Sequence, residues 1–266
     1  MIRFFRTIIL VLLSSTFLSI NGYSQTTRVY STSRIQGDSP KIDGELNDSA
    51  WDQVKWENTF TQFNPVNGGE ADQQTAFKIL YDDNYLYVAI RAFDNEPEKI
   101  VRRLSRRDSF QGDWVEIAFD SYHDFNTGYS FTANAAGVKN DELYTNDGLG
   151  HDRTWDPIWF LKTSIDNDGW IAEIKIPFTQ LRFSNQSEQI WGLQVKRYVY
   201  RKEERSLWQH ISNDQAGYVS RFGELHGLKN IQPKRQFDLT PYAVASYETF
   251  EAEEENPFTD GKESLK

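Results

Sequence analysis

The sequence predicts an all-β protein, an antiparallel β-sandwich of jelly-roll or immunoglobulin-like layers with one or two short helices. Three observations predict it. Short runs of alternating apolar and polar residues recur along the chain with turn residues between them. No helical pattern of crossover length separates these runs, so parallel α/β pairing has nothing to connect it. Aromatic residues make up 15% of the chain, which suits pleated, half-buried surfaces and leaves rings over for ligand contact.

The elements follow in order. Residues 25–39 are polar and irregular and read as a leader strand or a loose N-terminal arm. Asn47 to Trp51 reads as a short helical turn capped by Asn47 or Asp48, with Trp51 facing the core. Strands are expected at Thr75–Ile79 and Tyr85–Phe93 around the tight turn Asp82-Asp83-Asn84, because Asp and Asn tolerate left-handed backbone angles. Further strands are expected at Trp114–Phe119, Tyr129–Ala135, Ile158–Ile165, Trp170–Ile176, Trp191–Arg201, Trp208–Ile211 and Phe222–Gly227. Only Glu98–Arg107 and Phe178–Leu181 look helical. These elements place a sandwich at 40–230. Residues 231–266 read as a linker and the start of a further, barrel-like region, with Pro233 and Pro241 flanking an alternating segment.

Composition narrows the function. Residues 1–24 carry Arg3 and Arg6 ahead of an apolar run, then small residues at Gly22 and Ser24, which is the pattern of a secretory signal peptide. Ser14, Ser15 and Thr16 interrupt that run, and it is shorter than the roughly 18 residues a spanning helix needs. The chain is therefore expected to be exported to the periplasm, outer membrane or cell surface. The formal charge is −10, and losing two arginines with the leader deepens it, so nucleic-acid phosphates are poor partners. Cysteine is absent, which excludes disulfides, thiolate metal sites and a cysteine nucleophile. No serine-hydrolase elbow, phosphate loop or HExxH pair occurs, and His123, His151, His210 and His226 are scattered.

Strand alternation identifies a candidate surface. In DWVEIAFD, Val115, Ile117 and Phe119 make the core face, leaving Trp114 and Glu116 on the other. The same logic puts Ser130, Thr132 and Asn134 together, opposite Tyr129, Phe131 and Ala133. A ring beside a carboxylate and an amide suits a sugar, whose C–H face stacks while its hydroxyls take directional hydrogen bonds.

Five stretches in order, KIDGELNDSAWD at 41–52, ILYDDNYLYVAIRAFD at 79–94, GDWVEIAFD at 112–120, DGWIAEIKIP at 168–177 and RFGELHGL at 221–228, resemble the family 9 carbohydrate-binding module across residues 40–228. The resemblance implies a module that holds a sugar between two aromatic rings, one before the GDxVEI strand and one late in the chain. These fall on Phe110, where better-known members have Trp, and on Trp208. The family's carboxylate and amide fall on Glu116 and Asn134, while its arginine two residues before the amide is Thr132 here. Lys196 and Arg197 are the expected replacements for that charge. Similar envelope proteins continue into an outer-membrane β-barrel, which implies envelope association through a C-terminal region. The family often holds structural calcium, with Asp82-Asp83-Asn84, Asp94-Asn95-Glu96, Asp120 to Asp124 and Asp141-Glu142 as oxygen-rich candidates.

The residues also admit competing readings. Asp113, Glu116, Asp141 and Glu142 offer carboxylate pairs for a glycoside hydrolase or an accessory part of one. Related sandwiches in periplasmic redox enzymes hold haem, but the usual methionine ligand is represented only by Met1. Arg102, Arg103, Arg106 and Arg107 read as a solvated helical face or an anion contact. Trp51, Trp159, Trp170 and Trp191 read as core, and Trp155 as a rim contact or a lid.

Overall fold

The computed structural model describes residues 26–109, 111–232, 241, 243–249 and 263–265. The proposed signal peptide lies outside the described residues, as does Phe110. The strands are β1 (Val29–Ser31), β2 (Ser33–Arg34), β3 (Thr61–Asn64), β4 (Thr75–Tyr81), β5 (Tyr85–Phe93), β6 (Trp114–Asp120), β7 (Gly128–Asn134), β8 (Lys139–Thr145), β9 (Gly150–Asp152), β10 (Phe160–Asp166), β11 (Gly169–Pro177), β12 (Glu188–Val199), β13 (Glu204–Leu207) and β14 (Gly223–Lys229). Further on, Tyr247–Thr249 pairs antiparallel with Glu263–Leu265.

Two sheets form the sandwich. The larger runs β1-β14-β12-β6-β7-β8-β9, and β13 with β3 continues from the far end of β12. The smaller runs β10-β11-β5-β4-β2. Pairing is antiparallel except at two edges, where β1 joins β14 and β2 joins β4 in parallel. The N-terminal segment is thus no loose arm: five residues of chain feed the edges of both sheets, and the sandwich begins before residue 40.

Alternation builds the interior. Phe77 and Ile79 of β4, Val88 and Ile90 of β5 and Trp170 and Ile174 of β11 face Ile117 and Phe119 of β6, Phe131 of β7 and Leu193 and Val195 of β12, all buried in one cluster. Trp51, Trp159, Trp170 and Trp191 are buried, and Trp155 packs edge-on against Tyr129 and Phe131 at the border of the core.

Helical structure among the described residues is confined to short 3-10 turns. Ser49–Gln53 buries Trp51 as expected, but Asp48 does not cap it and instead accepts the Lys41 amide. Phe178–Gln180 is likewise a single turn. The helix expected at 98–107 shrinks to Pro97–Lys99. Val101 exchanges hydrogen bonds with Asp113 instead, donating to its carboxylate at 2.9 Å and accepting from its amide at 2.9 Å, and Arg102 bridges Gly112. Gly112 sits at φ +109, and a side chain there would meet the Val101 carbonyl at 2.2 Å, so the close approach needs glycine. Arg102, Arg103, Arg106 and Arg107 therefore line an extended segment rather than one helical face.

Candidate carbohydrate-binding cleft

Four strands and their register build an open cleft on the outer face of the larger sheet. Glu116 of β6 lies opposite Lys196 of β12 on one side and Thr132 of β7 on the other, and Thr132 lies opposite Asn140 of β8. Trp114 lies beside Tyr198, their rings stacked with centroids 5.5 Å apart and planes at 25°. The cleft has a volume of about 520 Å³, and Trp114, Glu116, Thr132 and Lys196 line it together. Trp114, Glu116 and Thr132 share the face that alternation assigns to them, and Lys196 joins them through its register with Glu116.

Several charged groups of the cleft are tied to one another. Lys196 Nζ lies 2.8 Å from Glu116 Oε1, which also accepts the Tyr144 hydroxyl at 2.9 Å. Burial, then the charge of Glu116, pushes the Tyr144 phenol well above its ordinary pKa, so it remains a donor. Glu142 Oε2 faces His151 at 3.2 Å and Arg153 at 3.5 Å. Lys196 Nζ also lies 4.7 Å above the Tyr218 ring.

Three expected site residues lie elsewhere, and each for a physical reason. Trp208 is fully buried, edge-on to Phe77 at 5.4 Å, so it is a core residue and no platform. It follows β13, where Arg205 and Leu207 take the outer face, and alternation turns residue 208 inward. Gly223 allows this, since a β-carbon there would come within 2.6 Å of the indole. The strand expected at 208–211 ends at Leu207 accordingly. Arg197 alternates with Leu193 and Val195 and is fully buried, donating to the Gln74 carbonyl at 2.8 Å. Burial lowers it to about 10, against the pull of Asp94 and Asp113. Asn134 shares the outer face but is covered: its amide donates to the Arg103 carbonyl and accepts from the amides of Ala136 and Val138, closing the turn after β7.

Further cleft residues are ones that the sequence does not mark as sugar contacts. Asn140, Glu142 and Tyr144 come from β8, and His151, Arg153 and Arg205 join Asp108, Ser109 and Gln111 in the wall. The pattern KNDELYT does alternate, with Leu143 as its one apolar member opposite Glu142 and Tyr144, but Asp141 on the inner side disguises it. Asp141 is buried because Trp159 and Arg107 donate to it at 2.9 and 2.6 Å.

The carboxylates of the acidic loops are engaged by donors of the chain itself. Asp82 accepts the amides of Asn84 and Tyr85, Asp94 is gripped by both terminal nitrogens of Arg201, and Asp120 accepts the amides of Asp124 and Phe125. Burial alone would raise Asp94, but Arg201 holds it below the usual carboxylate range. Among the described residues no group of three or more acidic or histidine side chains converges as a metal site.

A family model described as carbohydrate family 9 binding domain-like matches residues 42–226. The chain belongs to this family. Its fold has solved relatives. A family 9 carbohydrate-binding module from Caldicellulosiruptor kristjanssonii in complex with glucose superimposes with a TM-score of 0.55 at 20% identity, covering 80% of this chain and 100% of that one. The same organism's module in complex with cellotriose gives 0.52 at 20% identity over the same shares. A putative carbohydrate-binding protein from Bacteroides uniformis gives 0.58 at 14% identity, covering 76% of this chain and 100% of that one. No curated protein matches the chain.

Proposed function

We propose that this non-catalytic carbohydrate-binding module docks a glycan in the outer-face cleft, with Trp114 as the ring platform and Glu116, Lys196 and Thr132 directing the hydroxyls. The observation that carries the reading is an indole beside an ion-paired carboxylate in an open hollow of about 520 Å³. Sugar rings offer an apolar face and a polar edge, and this floor matches both. Glucose and cellotriose in the two Caldicellulosiruptor kristjanssonii structures support a gluco-configured unit as a first ligand to try.

Binding needs no proton transfer, and the carboxylates weighed for hydrolysis have other work. Asp113 and Asp141 are buried in hydrogen bonds to Val101 and to Trp159 and Arg107, while Glu116 is held by Lys196 and Tyr144. A glycan array with a parallel reducing-sugar assay tests the reading. Wild type and Trp208→Phe should bind without turnover, and Trp114→Ala should lose roughly tenfold or more in affinity. Turnover, or undiminished binding by Trp114→Ala, would sink it.

The same reading makes residues 1–24 an export signal and sequence beyond 231 the route to the envelope, in keeping with the leader's two arginines and apolar run. N-terminal sequencing of protein recovered from the periplasm or the medium should begin at Gln25; an intact leader would refute export by this route.

A further inference from the structure

Among the described residues of the cleft, Arg205 is a cation with no ion pair. Glu116 is engaged by Lys196 and Tyr144, and Glu142 by His151 and Arg153. Arg205 projects from β13 into the same space and also lines an adjoining pocket of about 280 Å³. Its guanidinium lies 5.9 Å from the centroid of the Trp114 ring, and among the described residues it has no ion pair. Its Nε is buried with no acceptor. Across the strands it faces Tyr198 and Asn64, and neither is a carboxylate.

An arginine stays charged at any physiological pH, and its planar fork of donors matches the two oxygens of a carboxylate. Terminal guanidinium nitrogens that lack an acceptor in the chain gain charge-assisted hydrogen bonds from an arriving carboxylate. A neutral sugar brings hydroxyls, which satisfy such a fork one donor at a time. A carboxylate satisfies it bidentately; of the acids lining the cleft, the two glutamates are already countered and Asp108 accepts the Asp141 amide at 3.3 Å. We infer that Arg205 tunes the cleft toward a hexuronate, a sugar unit whose ring stacks on Trp114 while its carboxylate takes the guanidinium. This inference rests on the proposed saccharide site and adds the chemical class of its ligand. Arg205 thereby supplies the fork that Thr132 removes, from a different strand.

Calorimetric titration with trimers of galacturonate, glucuronate and mannuronate, each against its carboxyl-reduced neutral form, tests it. Wild type should bind one uronate trimer at least about tenfold tighter than its neutral twin. Arg205→Gln should bring the two within about twofold, and Arg205→Lys, which keeps the charge but loses the fork, should fall between. Added salt should weaken the uronate complex more than the neutral one. Thermal melts of both variants separate loss of preference from loss of fold. Equal binding of acidic and neutral forms, or preference for the neutral form, overturns the role of Arg205 and leaves the saccharide site standing. Binding of none of these trimers also overturns it, and the glycan array then decides the saccharide site separately.

Discussion

The two sheets treat their outer faces differently. On the smaller sheet, Leu80, Tyr87 and Ala89 are sealed by Ile35, Ala50, Trp51 and Val54 from the N-terminal segment, a second small core outside the sandwich. On the larger sheet, Ile211, Val219 and Phe222 cover Ala118, Tyr144 and Leu207, and the face beside them opens into the cleft. Each face holds a carboxylate near a tryptophan. Glu173 is fully buried, accepting the amides of Asp43 and Gly44 at 3.0 and 2.8 Å and the Trp51 indole at 3.2 Å. Glu116 is met by two side chains, Lys196 and Tyr144, at the floor of a cleft. Donors fixed in the backbone lock a cover down, whereas side-chain donors beside open space can be shared with a ligand.

The largest expected effect breaks the sealed face. Trp51→Ala should cost roughly 3–5 kcal/mol of stability, because it opens a cavity and removes a donor from Glu173. Urea unfolding measures it, and the folded fraction should still bind sugar as wild type does. A comparable loss of affinity per folded molecule would mean the two faces are not independent.

The next effect is a pH dependence confined to the same face. Burial pushes Glu173 from its ordinary 4.5 up to about 7, only partly offset by its three donors. Between those values the folded chain holds a proton that the unfolded chain has released. The contribution is therefore fully present below pH 4.5 and is lost as pH rises through about 7. The stability difference between wild type and Glu173→Gln should shift by about 3 kcal/mol across that window. A flat difference would mean the carboxyl is ionised throughout.

How far the sequence shows this division depends on the strand. In β6 the apolar face of Val115, Ile117 and Phe119 is unbroken, so the outward placing of Trp114 and Glu116 is legible. Strand β8 hides its register because an inward Asp141, satisfied by Arg107 and Trp159, replaces an apolar residue. Trp208 and Arg197 mislead in another way. Large or charged side chains look like surface groups, yet alternation from Leu207 and Val195 already turns them inward, where Phe77 and Asp94 receive them. The sealing role of 41–51 is illegible because its donors are backbone amides that reach Glu173 across about 130 residues of chain. The fold was carried by local pattern, and the site by contacts between distant segments.

The smallest effect sharpens the contrast on the open face. Removing the ammonium with Lys196→Met leaves Glu116, 5% exposed, with the Tyr144 hydroxyl alone. The cleft admits water, so the cost should be roughly 1–2 kcal/mol, below that of a sealed ion pair. Glu116→Gln in the same chain should recover much of that stability, since it removes the uncompensated charge. It should not recover affinity, because both groups that orient the sugar are then altered. A double-mutant cycle read by urea unfolding and by calorimetric titration separates the two quantities. If stability and affinity recover together, the pair serves the fold as Glu173 does; if only stability recovers, the pair belongs to the site.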